Sequence, residues 1–364
     1  MILHRYFAKK YILFFVAVLT IFSIFIFLID LVEQLRRFGN DVNFQKIIEL
    51  TASNAPATAY RTMPLIMILS SVWMFLSLAR SSELVIMRSI GRSPVQFLLA
   101  PTFVALLIGI ISVTVINPIV AATSKHFFNE SDKISSGRNN DFSIGAEGLW
   151  LRDGDETRQT IMRAASSNSD GSILYDVSFV TISGSGLPIR RVDASSATLK
   201  NGSWLLREAK IWPLNRDKNP ELESFVQKSY TLETGITLEH IQNSFGNPIT
   251  IAIWDLPQQI RNLQSSGYST RRHLVWQQME IARPIFLTAM MLIGAAFSMG
   301  HIRFGGRGVS ILIAVLLGFI LFYVRNFAQI LGENGRLPIV FAAWTPPIAT
   351  LLIAISIILQ KEDG

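Results

Sequence analysis

The sequence predicts an α-helical membrane protein with six transmembrane helices and an all-β, jelly-roll-like domain inserted between helices 3 and 4. Half of the 364 residues are hydrophobic, only 16% are charged, and the mean hydropathy is +0.37. This composition is typical of a membrane protein and excludes a disordered chain. Six long apolar runs, together with a polar interval rich in Ser and Gly, define three parts, residues 1–120, 121–272 and 273–364.

The first apolar run, residues 11–29, follows a basic N-terminus and is long enough to cross the hydrocarbon core of a bilayer. It resembles a signal anchor, since no small-residue cleavage site follows it. Beyond it, the pairs Leu31/Leu35 and Glu33/Arg37 at i, i+4 spacing predict that the helix continues out of the bilayer. We expect the other five spans at residues 62–79, 95–119, 276–299, 309–331 and 337–359.

The orientation of the chain is predicted from the Lys and Arg residues in its short loops. These residues are more numerous on the side that carries the N-terminus, which is the bias of cytoplasmic loops. We therefore expect both termini in the cytoplasm and residues 121–272 outside. The formal net charge of +7 fits contact with an anionic membrane surface, and no basic helix of a nucleic-acid-binding protein is present.

Residues 121–272 have the pattern of a β domain. Ile173, Tyr175, Val177 and Phe179 alternate with more polar residues, which predicts a half-buried strand, and residues 200–203 predict a hairpin turn. An amphipathic helix is expected at residues 257–264. The four alternating side chains are candidates for the apolar lining of a lipid path, although an ordinary packed core explains them equally well.

Several classes of chemistry find no support in the sequence. Cysteine is absent, the five histidines form no His-Glu-x-x-His motif, and no Gly-x-x-x-x-Gly-Lys-Ser/Thr phosphate loop occurs. We therefore expect no catalytic site, metal or cofactor in this polypeptide, and any ATP hydrolysis to reside in another subunit.

Ionisable residues at membrane depth are the first candidates for a binding site. Asp30 closes the first span and Arg325 interrupts the fifth, and such residues usually face a bundle interior, a cavity or a partner charge. Arg325 could line a polar cavity that binds an anionic amphiphile together with Arg36 and Arg37, because guanidinium groups match phosphate geometry. The alternatives are that Arg325 extends to the water interface and that Arg36 and Arg37 are merely solvated.

The second candidate is a short charged segment between the second and third spans, at about residues 81–91. Its pattern predicts a helix of roughly two turns on the membrane surface, with a glycine stop and a proline just beyond. It is either an ordinary connector or a docking helix for a cytoplasmic partner. The residues that would make the contact are Glu83, Leu84, Met87, Arg88 and Gly91.

This segment resembles the one between the second and third spans of the lipopolysaccharide export permeases, the LptF/LptG family. Residues 30–37, 148–154, 191–194, 204–207 and 317–323 are also similar to that family, and their order extends the resemblance over the whole chain. The exit of the first span is more similar to LptG-type members. Asp30 departs from the pattern, since some members carry a basic residue there, and we expect Asp30 to pair with Arg325.

The resemblance implies a permease in the inner membrane of Gram-negative bacteria that extracts lipopolysaccharide from the outer leaflet. It implies an LptF-like second permease, a dimeric LptB-like cytoplasmic ATPase and periplasmic jelly-roll partners of LptC-like and LptA-like type. It assigns Glu83 to ATPase docking and Arg36 and Arg37 to the lipid phosphates. Two alternatives remain: a membrane-anchored β-domain binding module without transport activity, and a permease of another ATP-driven extruder.

Overall fold

The computed structural model describes most of the chain. The described residues are 2–39, 42–81, 83, 94–136, 142–145, 148–154, 158–167, 172–183, 186–200, 202–214, 219–234, 247–265, 269–299 and 307–363. Within these residues the chain divides into two compact units, one formed by Met1–Phe127, Ala252–Trp254 and Arg271–Gly364, and the other by Phe128–Ile251 and Asp255–Thr270.

The first unit is a helical bundle. The prediction of six spans is confirmed, because six helical segments of the described residues are long and apolar enough to cross a membrane. Most helices extend beyond the predicted runs, since turns that leave the hydrocarbon remain helical. They are α1 (Ile2–Phe38), α2 (Phe44–Arg80), α3 (Pro94–Ile111) continued by a π-helical turn (Ser112–Ile116) into α4 (Asn117–Ser136), α6 (Arg271–Ser298), α7 (Arg307–Glu333) and α8 (Ile339–Asp363).

The centre of the bundle lies around α2 and α6, which are the most buried spans. Of their most apolar stretches, 67% and 72% is buried within the chain, against 17% for α1 and 22% for α7. Gly294 of α6 allows close contact with α2, because a Cβ there would lie 2.6 Å from the carbonyl oxygen of Ile68. The outer helices α1 and α7 consequently present long apolar faces to their surroundings.

The second unit is built on one antiparallel sheet, which confirms the inserted β domain. Seven described strands lie side by side in chain order. This order differs from that of a jelly roll, because the Greek keys of a jelly roll place non-consecutive strands next to each other. The strands are β1 (Phe142–Gly145), β2 (Gly148–Gly154), β3 (Arg158–Ser167), β4 (Ile173–Ser183), β5 (Pro188–Lys200), β6 (Ser203–Pro213) and β7 (Phe225–Glu233).

Two local predictions for this unit are confirmed. The hairpin turn joins β5 to β6, with Lys200 paired to Ser203 and Gly202 at φ +74°, a left-handed conformation that glycine adopts without strain. The amphipathic helix is α5 (Leu256–Ser265), and its Leu263 is buried in the apolar cluster of the sheet. Helix α5 therefore covers part of the apolar face of the sheet.

The predicted alternation in β4 is only partly correct. Val177 and Phe179 are buried, but Ile173 is half-buried and Tyr175 is 42% exposed, while Leu174 is fully buried. The reason is Asp176, whose φ of +49° lies in the left-handed region and reverses the inward and outward order of the strand.

Candidate functional site

A buried polar network lies inside the helical bundle, centred on Glu280 of α6. Arg283, one turn further along, forms an ion pair with it at 2.6 Å, and the two side chains are 0% and 4% exposed. The hydroxyl of Tyr60 from α2 donates a short hydrogen bond to the same carboxylate. The guanidinium of Arg283 lies 3.8 Å from the centre of the Tyr60 ring and donates to the Tyr60 carbonyl oxygen. The network thereby joins α2 to α6.

Asn117 extends the network to a third helix and to the segment Ala252–Trp254. Its side-chain amide donates to Glu280 at 3.4 Å, and its oxygen accepts a hydrogen bond from the backbone N–H of Ile253 at 2.9 Å. Asn117 follows the π-helical turn, and such turns often occur where a helix serves a function. Glu280 is thus held from α2, α4 and α6 at once.

Arg325 of α7 is the second buried arginine of this region. It is 7% exposed, its Cζ atom lies 5.3 Å from the centre of the Phe286 ring, and the charges of Arg283 and Glu280 both act on it. Within the described residues it has no hydrogen bond and no carboxylate partner. Glu280 is already neutralised by Arg283, so among the described residues of this region the charge of Arg325 is not compensated by a carboxylate of its own. Burying a charge without such a partner is costly.

The expected pairing of Asp30 with Arg325 is wrong. Both carboxylate oxygens of Asp30 accept hydrogen bonds from the Asn54 amide of α2 at 3.0 Å, and Gln34 donates a further one at 3.2 Å. Asn54 is available because α1 packs along α2. Asp30 therefore belongs to the contact between these two helices.

Arg36 and Arg37 lie at the exposed end of α1. Arg36 makes a 3.2 Å contact with Glu33 with its side chain 78% exposed, and Arg37 packs 5.1 Å from the centre of the Phe38 ring. No hydrogen bond or ion pair joins them to Arg325 in the part of the chain that the structure describes. A groove on the same helix is lined by Leu19, Thr20, Ser23, Ile24, Phe27 and Leu28.

Glu83 is the one described residue of the predicted docking contact, and it is bound within the chain. One carboxylate oxygen accepts from Lys10 at 2.9 Å and from Ser81 at 2.8 Å, and the other accepts from the Tyr6 hydroxyl at 2.9 Å. Partial burial favours the protonated acid, but these hydrogen bonds and the charge of Lys10 outweigh it, so the pKa of Glu83 lies below its usual value. Leu84, Met87, Arg88 and Gly91 lie outside the described residues.

Sequence reasoning missed Tyr60, Asn117, Glu280 and Arg283 as site residues. A signal was present, since Glu280 and Arg283 are spaced i, i+3 inside a run that was assigned to the fourth span. Opposite charges at this spacing lie on one helix face and can enter a bundle as a neutral pair. The Tyr60 and Asn117 contacts left no local signal, because those residues lie 220 and 163 positions away from Glu280.

Comparisons with known proteins agree with this architecture. Residues 5–360 match the family model of the lipopolysaccharide export system permease LptF/LptG. The lipopolysaccharide export system permease protein LptG of Haemophilus influenzae is 24% identical over 342 residues, covering 92% of each chain. The LptG protein of Escherichia coli K12 is 26% identical over 164 residues, covering 43% of this chain and 45% of the relative. The recognised family and the LptG-type similarity are both confirmed.

Proposed function

Because the chain belongs to the LptF/LptG family of lipopolysaccharide export system permeases, we propose that it is a permease subunit that removes lipopolysaccharide from the outer leaflet of the bacterial inner membrane. The supporting observation is the extent of the family match, which includes all six apolar helices and the inserted sheet. In this function both termini lie in the cytoplasm and the sheet lies in the periplasm.

The energy for transport comes from a separate dimeric ATPase of LptB-like type, since the sequence lacks a phosphate-binding loop. The segment that begins at Glu83 is the contact for this ATPase. An LptF-like permease completes the membrane complex, and LptC-like and LptA-like jelly-roll proteins accept the lipid in the periplasm.

Arg325 is the residue that we assign to the lipid headgroup inside the bundle, because it is buried and lacks an acceptor among the described residues. Phosphate oxygens can supply the acceptors that a guanidinium needs. Arg36 and Arg37 lie at the exposed end of α1, and we assign them to the phosphates of the lipid as it enters or leaves the helical bundle. The apolar side chains of the α1 groove suit an acyl chain.

In the β domain, the apolar face of the sheet is the surface that we assign to acyl chains in transit. Val177 and Phe179 lie on that face, and Ile173 lies at its half-buried margin. Tyr175 is exposed on account of the reversed order at Asp176, so we assign it no contact with the acyl chains.

The function is tested by purifying the protein in mild detergent from its native membranes, alongside a Glu83→Lys variant. We expect an ATP-hydrolysing subunit to accompany the wild type and to be lost from Glu83→Lys. Glu233→Lys is the matched control, because it reverses an exposed charge on β7 and should retain the ATPase.

Absence of an ATPase from the wild type, under conditions that preserve other transporter complexes, would contradict the driven permease. The anchored binding module would then be the better interpretation, since such a module does not need a docking segment on the other side of the membrane.

A further inference from the structure

A three-residue cluster joins the start of α1 to the end of α2. Tyr6 and Lys10 lie one turn apart on α1, and Lys10 donates to the Tyr6 hydroxyl at 3.0 Å. Both also bind Glu83, which is 73 residues from Lys10 in the chain. Each carboxylate oxygen of Glu83 is therefore occupied by a donor from α1.

The cluster rests on a packed part of the bundle. Phe7, 1% exposed, contacts the Tyr6 ring with centroids 5.6 Å apart and the Phe97 ring of α3 with centroids 5.9 Å apart. The side chains of Lys10 and Glu83 are 18% and 29% exposed, so their ion pair is partly shielded from water. Aromatic packing around Phe7 therefore helps to hold Tyr6 and Lys10 in place. Their contact with Glu83 is not one between two freely moving surface side chains.

Helix α1 packs along α2 with one face only, on which Phe7, Tyr11, Phe15 and Val18 are buried, and just 17% of its apolar stretch is buried in all. Polar contacts add to this packing near both ends of the helix. Asp30 holds it to α2 near one end, and Glu83 holds it near the other.

We propose that Glu83 acts through Lys10 and Tyr6, so that movement of the segment after α2 is transmitted directly to α1. Lys10 and Tyr6 are then positioning residues for transport, and Glu83 is a link within the chain as well as part of the ATPase contact. This inference rests on the proposed function. A conformational change driven by ATP requires states that differ in their contacts. The contact of Glu83 with Lys10 and Tyr6 can differ in this way, and it joins the end of α2 to α1, the least buried span.

The test uses the intact transport complex, reconstituted in vesicles that contain lipopolysaccharide, and leaves Glu83 unchanged so that the ATPase contact is kept. Lys10→Met and Tyr6→Phe are compared with the wild type for lipopolysaccharide exported per ATP hydrolysed. We expect each change to lower this ratio roughly two- to fivefold, the range of a partly exposed ion pair, while the ATPase stays in the complex. Lys10→Arg, which keeps the charge, should retain the wild-type ratio.

Two results would overturn the inference: a Lys10→Met complex with an unchanged ratio, or loss of the ATPase from the Lys10→Met permease. The second result would mean that Lys10 holds the ATPase contact in place and transmits no movement to α1. These failures leave the proposed function intact, whereas a wild-type permease that never associates with an ATPase overturns both.

Discussion

At the scale of single residues, burial decides which charges pair. Glu280 and Arg283 are almost completely enclosed, and removing one partner of such a pair costs about 3–5 kcal/mol because the other charge stays buried. Tyr60 and Asn117 add hydrogen bonds that satisfy the remaining capacity of the carboxylate. The network therefore fixes the relative positions of α2, α4 and α6, and the buried Arg325 lies beside it.

Arg325 gives a prediction for lipid binding. Replacing it in Arg325→Gln removes a charge-assisted contact worth about 1.5 kcal/mol, so we expect lipopolysaccharide affinity to fall roughly tenfold. Binding of purified protein to labelled lipopolysaccharide measures this change. Arg336→Gln is the control, since Arg336 is an exposed arginine beyond the end of the same helix. The affinity of this variant for lipopolysaccharide should equal that of the wild type. Equal affinities for all three proteins would exclude Arg325 from the site.

At the scale of secondary-structure elements, glycines determine how closely the helices approach. Apart from Gly294, a Cβ at Gly109 of α3 would lie 2.6 Å from the Cα of Pro284 in α6, and one at Gly332 of α7 would lie 2.6 Å from the Cβ of Ala342 in α8. Small residues permit such packing in membranes, where helices associate through close van der Waals contact. Helix α6, which carries Glu280, is held against α2 and α3 in this way.

Gly294→Ala is expected to destabilise the bundle by about 1–3 kcal/mol, the usual cost of overpacking, because the nearest atom is a backbone oxygen that cannot move aside. Thermal unfolding in detergent, followed by a fluorescent lipid-phase probe or by loss of monodisperse protein, measures the change. Gly308→Ala is the matched control at a helical position with nothing within 4 Å, and it should unfold at or above the wild-type temperature. Equal unfolding temperatures for both variants would show that the contact at Gly294 is not close.

The sheet also contains a local irregularity that affects packing. Asp176 in β4 and Glu208 in β6 both adopt positive φ, and they lie at the same level, since Tyr175 pairs with Ser196 and Ser196 with Arg207. Strand β6 reverses its order at this level too, with Leu206 and Ala209 buried on either side of two exposed residues. The reversal keeps one face apolar along the full length of these strands.

At the scale of the whole molecule, the function requires that the sheet and the two termini lie on opposite sides of the membrane. Single cysteines introduced into the cysteine-free chain can test this requirement. In cells with a permeabilised outer membrane, we expect a membrane-impermeant maleimide to label Glu221→Cys, an exposed position of the β domain, and not Arg5→Cys near the N-terminus. Both positions should react after the inner membrane is lysed. Labelling of Arg5→Cys before lysis would reverse the proposed orientation.

Much of this architecture could be predicted from sequence because the relevant forces are local. Apolar runs of sufficient length must cross the bilayer as helices, since backbone groups in hydrocarbon need internal hydrogen bonds. Asn201-Gly202 predicted the hairpin because glycine tolerates the positive φ that the turn needs. The amphipathic spacing of residues 257–264 likewise predicted α5. Six spans, an inserted sheet and the absence of a phosphate loop were therefore determined by the sequence alone.

The pairing of distant charges was decided only by the tertiary structure. Asp30 and Arg325 were both correctly recognised as unusual, but packing brings Asn54 to Asp30 and Phe286 to Arg325. Glu83 was predicted to contact a cytoplasmic partner, and the structure adds a contact within the chain, since Lys10 and Tyr6 at the start of α1 both bind it. Hydrophobicity and backbone preference act over a few residues, whereas such contacts depend on how whole helices pack, and no short stretch of sequence contains that information.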